Sequence, residues 1–152
     1  MDSIWQATSE MPHFPTLVGD LKKDAVVVGG GMAGLLTAAR LRQAGLDTAV
    51  IERESIASGV TAGTTAKITS QHGLIYDKLI RRFGHERARQ YAHANQRAID
   101  RFWEMAAEIG AQCAMQEMDA YVYSTSGGTK TQREAAAAQS LGIPASLTCR
   151  FR

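Results

Sequence analysis

Residues 24–36 read Asp24-Ala-Val-Val-Val-Gly-Gly-Gly-Met-Ala-Gly-Leu-Leu, and the segment is closed by Thr48-Ala-Val-Ile-Glu52. The order is an apolar strand, a glycine turn, a helix and a second apolar strand ending in an acid. That is the layout of a dinucleotide-binding βαβ unit. Gly29, Gly31 and Gly34 occupy the G-x-G-x-x-G positions. The first permits the tight turn off the strand, the second lets backbone approach a pyrophosphate, and the third lets the helix pack on the strand. The helix opening at Met32 offers unpaired N–H groups and partial positive charge to phosphates. Glu52 stands where a carboxylate accepts hydrogen bonds from ribose hydroxyls, about 20 residues beyond the turn. A glycine-rich turn alone carries little weight. Here the strand, the helix and the acid agree with it.

The rest of the chain narrows the class of dinucleotide fold. Residues 1–23 read as an extended arm, with Pro12 and Pro15 opposing helix. Ala25–Val28 is a continuous apolar run, as expected of a buried parallel strand. The first helix spans Met32–Ala44 and ends at Gly45, and the second strand spans Thr48–Glu52. Ser55 to Ser70 is small and polar, a composition suited to a loop lying against a ligand. Leu74, Ile75, Leu79 and Ile80 mark a short helix interrupted at Gly84. A long helix follows from His85 to Ile109, closed by Gly110, with Ala88, Tyr91, Ala92, Asn95, Ile99, Phe102, Ala106 and Ile109 on one face. Asn95 interrupts that stripe and is expected to hydrogen-bond. Tyr121–Tyr123 reads as a strand and Lys130–Leu141 as a helix stopped by Pro144. No buried strand is expected between Glu52 and about Ala120. A simple nicotinamide domain places its third parallel strand early, so helices inserted there favour a flavin-binding relative.

Composition excludes more than it suggests. The chain has 152 residues, 45% hydrophobic and 21% charged, with a net charge of +2. That size fits one domain, and that charge gives no case for a nucleic-acid or membrane-surface partner. Arg81, Arg82, Arg87 and Arg89 read as one solvated helix face. Cys113 and Cys149 lack the close spacing of a metal site or a disulfide framework. His85 and His93 lack the i, i+4 spacing of a helical metal pair, so no metal site is expected. The first 14 residues have no apolar core of a signal peptide, and no run is long enough to span a bilayer. A cytoplasmic location is the resulting expectation.

The chain resembles the N-terminal part of FAD-dependent oxidoreductases of the D-amino-acid oxidase and glycine oxidase superfamily. Within it, the likeness is greatest to the branch that carries a C-terminal Rieske domain. The resemblance rests on Ser3-Ile-Trp5, the glycine fingerprint, Ser58-Gly-Val-Thr-Ala-Gly-Thr-Thr-Ala-Lys67, Ile68-Thr-Ser-Gln-His-Gly-Leu-Ile-Tyr76 and Asp119-Ala-Tyr-Val-Tyr123. It implies that Gly29, Gly30, Gly31, Met32, Ala33 and Gly34 hold an FAD pyrophosphate. Glu52 would hold the adenosine ribose, with Arg53 near the adenine. Thr64, Thr65, Ala66 and Lys67 would lie near the pyrophosphate, ribityl chain or flavin ring. Some superfamily members attach FAD through a histidine, but that position falls near Gly63, so non-covalent FAD is expected and His72 reads as a loop residue. Tyr121–Tyr123 would begin the sheet of a substrate domain.

The fold expectation is therefore α/β, a Rossmann-like FAD-binding βαβ unit with inserted helices and the start of a substrate-domain sheet, incomplete as a fold. Its divisions are an arm at 1–23, an FAD-binding region at 24–117 and a truncated substrate domain at 118–152. Full-length relatives are several times larger, and a Rieske cluster needs paired cysteines and histidines that this chain does not supply. The chain accordingly reads as a fragment. The functional expectation is an amine or amino-acid-like substrate giving a hydride equivalent to flavin, with oxygen or an iron–sulfur centre as acceptor. Two alternatives stand beside it: an NAD-dependent enzyme using the same fingerprint, and an inactive nucleotide-binding remnant. No residue is singled out as catalytic. Trp5 reads as a packing anchor for the arm, and Lys67 as either a flavin-side cation or a solvated lysine.

Overall fold

The computed structural model describes residues 3–125 and 128–148. Cys149 and the rest of the tail lie outside the described residues. The chain divides into two compact units, Met1–Lys67 and Ile68–Arg152.

In the first unit, β1 (Ala25–Val28) and β2 (Thr48–Ile51) pair in parallel, with Ala25 opposite Thr48 and Val28 opposite Ile51. The register is pinned at its start. The Asp24 and Ala25 N–H groups both donate to the Asp47 carbonyl, and the Asp47 N–H donates back to the Asp24 carboxylate at 2.9 Å. Lys23 adds an ion pair to Asp47. The connecting helix α2 (Met32–Gln43) packs on both strands. It ends in a Schellman motif, where Gly45 donates to Arg42 and Leu46 donates to Leu41. Gly45 takes φ +86°, a conformation that glycine adopts without a Cβ penalty.

Two expectations for this unit need correction. The arm is not extended throughout, because Ile4–Thr8 forms a short helix, α1. A capping box produces it: the Ser3 hydroxyl accepts from Gln6 N–H, and the Gln6 side chain accepts from Ser3 N–H. Beyond it, in the stretch carrying Pro12 and Pro15, the backbone is irregular. The second correction concerns burial. Ala25 and Val27 are partly covered, but Val26 and Val28 are 49% and 81% exposed. Within this unit the packing partner of the strands is α2, which covers one face. An apolar run suited to two covered faces therefore shows the alternation of a strand covered on one.

The second unit contains α3 (Tyr76–Phe83), α4 (His85–Glu108) and α5 (Thr129–Ser140). Gly84, at φ +80°, separates α3 from α4 as expected. Tyr76, Ala88, Ala92, Ala137, Ala138, Leu141 and Ile143 form the core. Four of these seven are alanines, and α4 and α5 each pack on α3, the helix that contributes the buried Tyr76. The phenol of Tyr76 is fully buried and donates to the Ser70 carbonyl at 2.5 Å. Its ring meets Tyr91 edge to face at 6.5 Å. Asn95, the polar break in the α4 stripe, donates to the Tyr91 carbonyl and faces His72 at 3.3 Å. The outer end of that stripe is not core: Ile109 is 76% exposed.

The polar centre of this unit was not legible in the sequence. Glu134, on α5 and only 4% exposed, accepts from the N–H groups of Ile75, Tyr76 and Asp77 at 2.8, 2.7 and 3.0 Å. Helix α3 has no side-chain cap of its own. A carboxylate from a distant helix supplies that cap and meets the positive end of the α3 dipole. Tyr121–Tyr123, expected as a strand, is outside any strand, and among the described residues the sheet has two strands. Alternating side chains choose which face a strand would bury. A strand itself exists only when a neighbour takes up its ladder, and alternation does not provide that neighbour.

Replacing Glu134 with alanine strips the acceptor from three amides at a buried helix end. The expected loss is about 3 kcal/mol in urea denaturation followed by helical circular dichroism. Glu134→Gln retains one acceptor and is expected to fall between. Burial raises the pKa of Tyr76 above its ordinary value, so the unfolded chain releases that proton first. Stability should thus be steady below about pH 10 and decline as pH climbs through the folded-state value. A series of alkaline urea midpoints checks this, with Tyr76→Phe as the variant that reduces the slope.

Candidate functional site

The glycine turn links β1 to α2, and its residues meet different constraints. Gly29 takes φ +107°, with open space around the position of a Cβ. Its requirement is conformational. Gly34 is sterically fixed: a Cβ there would lie 1.9 Å from the Gly29 carbonyl oxygen and 3.4 Å from Val27 Cγ1. Gly30 is buried, and a Cβ would press on Ile56 and Glu52 at 3.0 and 3.1 Å. Gly31 differs from all three. Its backbone is extended, and a Cβ would meet only Thr61 Oγ1 at an ordinary 3.4 Å.

Helix α2 begins at Gly31 with no side-chain cap from that residue. Thr61 Oγ1 accepts from Met32 N–H at 3.1 Å, and Leu35 N–H donates to the Gly31 carbonyl. The N–H groups of Gly31, Ala33 and Gly34 have no acceptor among the described residues. They form an open set of donors at the positive end of a helix whose last turn carries Arg40 and Arg42. This arrangement suits an anion.

Glu52 follows β2 and turns back onto the glycines. Its Oε2 accepts from Gly30 N–H at 2.7 Å, and its Oε1 accepts from Glu54 N–H at 3.1 Å. These bonds, the one from Gly30 first, lower its carboxyl pKa and keep it ionised. Each oxygen retains lone pairs for further donors. Two main-chain bonds complete the turn: Gly29 N–H to the Ile51 carbonyl and Ala57 N–H to the Gly30 carbonyl, at 2.8 and 2.7 Å.

The remaining candidates are less closely tied to this turn. Arg53 is solvent-exposed and pairs with Glu54 at 3.1 Å. Thr64 is partly buried. Its hydroxyl accepts from Ala66 N–H, and its carbonyl accepts from the Trp5 indole at 2.7 Å. Thr65, Ala66 and Lys67 are exposed, and Ala66 holds φ +54°. Loop and fingerprint are joined through Thr61, which the sequence reading passed over. A small polar loop with several threonines signals contact of some kind. Which hydroxyl reaches the helix depends on the loop's path. In the second unit, His72 is paired with Asn95 and lies among structural hydrogen bonds. Among the described residues, no group of three or more His, Cys, Asp or Glu side chains could hold a metal ion, and no helix is long and apolar enough to cross a membrane.

Gly34→Ala forces two backbone segments apart. The expected cost is about 3 kcal/mol, seen as a lower urea midpoint for the first unit. Gly31→Ala encounters no such obstacle and should unfold within about 0.5 kcal/mol of wild type.

Residues 24–150 match the family described as FAD dependent oxidoreductase (DAO). Over 148 residues, 96% of its length, the chain is 38% identical to YhfW of Bacillus subtilis (strain 168), a protein named for a Rieske 2Fe-2S centre. The match spans 29% of that relative. No solved structure matches the chain.

Proposed function

The chain belongs to the FAD-dependent oxidoreductase family, and on that premise we propose that Gly29, Gly30, Gly31, Met32, Ala33 and Gly34 cradle the pyrophosphate of a non-covalently bound FAD. Glu52 receives the adenosine ribose hydroxyls, and Arg53 lies by the adenine. Thr64, Thr65, Ala66 and Lys67 line the path toward the ribityl chain and flavin. The observation that carries this reading is Gly31. The fold leaves room there for a side chain, so the protein's own packing gives no reason for glycine. The open N–H groups of Ala33 and Gly34 beside it supply one: a bound phosphate that must approach the backbone. Family membership favours FAD over the nicotinamide alternative.

Bound FAD supplies the redox chemistry, accepting a hydride equivalent. The chain's residues orient it: the helix N-terminus fixes the phosphates, and an ionised Glu52 accepts hydroxyl protons without taking them. The substrate proposed for the whole enzyme is an amine or amino acid, oxidised at the carbon bearing nitrogen. In terms of domains, the arm 1–23 and residues 24–117 serve the cofactor, and residues 118–152 begin the substrate region. For the chain by itself, the exposed Val26 and Val28 favour a second reading, a nucleotide-holding unit without turnover.

An absorbance spectrum after mixing with FAD and desalting tests the cofactor assignment. Retained flavin bands are expected for the wild type. Gly31→Ala should stay folded while losing affinity at least roughly tenfold, the effect of displacing a charged group from its donors. Equal FAD affinity in Gly31→Ala and wild type would remove the case for this site. Bleaching of the bound flavin by added amino acids separates turnover from simple retention.

A further inference from the structure

We infer that Trp5 is a positioning residue for the cofactor loop: its indole N–H holds the Thr64 peptide and so fixes the turn that leads from Thr64 to Lys67. The inference rests on the FAD reading above and adds a residue from outside the fingerprint and the loop.

Helix α1 has no buried residue and only five residues in all, far below the length at which a helix persists by itself. Its local polar bonds nevertheless hold one turn closed. Ser3 and Gln6 cap each other, and the Thr8 hydroxyl donates to the Ile4 carbonyl at 2.7 Å. Apolar burial does not account for this turn. What the turn presents is Trp5, whose Nε1–H donates to the Thr64 carbonyl at 2.7 Å, across 59 residues of sequence. Trp5 as a whole is 40% exposed. A side chain used only for packing would cover the ring and leave the direction of its N–H open. Here the directed bond is retained while much of the residue remains in solvent.

Thr64 is well placed to pass that constraint on. Its hydroxyl accepts from Ala66 N–H at 3.2 Å, within a turn where Ala66 stands at φ +54°, a conformation uncommon for a residue with a Cβ. Its own N–H donates to the Thr61 carbonyl at 3.4 Å, and Thr61 Oγ1 accepts from Met32 N–H at the start of α2. A series of bonds therefore runs from the indole through Thr64 and Thr61 to the helix N-terminus. Without Trp5, the Thr64 carbonyl loses its directed donor, and the left-handed turn at Ala66 loses the anchor of its first residue.

Amide exchange on the 15N-labelled chain reads this without cofactor, and FAD titration reads its consequence. Trp5→Phe keeps an aromatic ring and deletes the donor. Ala66 N–H should then exchange roughly five to ten times faster, the factor that one neutral hydrogen bond supports. Gly29 N–H, bonded to the Ile51 carbonyl, should exchange at its wild-type rate. FAD affinity should fall by a similar factor. A second variant, Ser3→Ala with Gln6→Ala, leaves the indole in place but uncaps its carrier, and should change both readouts in the same direction by less. Unchanged exchange at Ala66 overturns the inference. So does acceleration shared equally by Gly29, which would make Trp5 a general stabiliser, and so does a loosened loop with undiminished FAD affinity. A wild-type chain that takes up no FAD overturns the cofactor assignment instead, and the exchange data then judge the positioning of the loop.

Discussion

Helix α2 can leave β1 at its observed angle only because residue 34 carries hydrogen where other residues carry a methyl group. A Cβ there would be 1.9 Å from the Gly29 carbonyl oxygen, well inside any tolerable contact. That close passage fixes the direction of the helix relative to the strand. It thereby decides where the amides of Gly31, Met32, Ala33 and Gly34 point. Glu52 depends on the same geometry, since its carboxylate reaches Gly30 N–H only if the turn is this tight. The sheet, the acid and the open helix end thus share one steric condition.

The second unit is organised around a charge. Glu134 lies within a core of small side chains and directs both oxygens at the first amides of α3. A buried carboxylate is costly to desolvate, and three main-chain donors at a helix N-terminus compensate it. Tyr76 fills the space beside it, with its hydroxyl directed to Ser70. Ser70 in turn receives Gln96 at its side chain. The segment Ser70–Tyr76 is thereby held to α4 and α5 by polar bonds. Gln71 and His72 take part in this scaffold, through Glu134 and Asn95.

How legible each element was follows from the range of the forces that make it. Gly45 and Gly110 close α2 and α4 through bonds to the preceding turn, and such local bonds leave a signature at one residue. Gly142 closes α5 in the same way, two residues before the Pro144 to which the ending was assigned. Helix α1 was missed because its capping box lies in a segment whose prolines argued for extension. The strand expected at Tyr121–Tyr123 shows the opposite error, an alternating pattern without a ladder to complete it. Arg53 stands beside Glu52 in sequence, yet in the structure it pairs with Glu54, because adjacent residues beyond a strand need not face the same way.

The sequence by itself determined the βαβ unit, the three glycines of its turn, the acid after β2, the run of helices that follows and the family to which they belong. Each depends on spacing along the chain, where steric demands and hydrophobic period are written directly. The tertiary structure decided which residues meet across long loops. Thr61 caps α2, Trp5 reaches Thr64, Glu134 caps α3, and β1 is covered on one face. These contacts join residues far apart in sequence and depend on the path of loops between them, which no local propensity specifies.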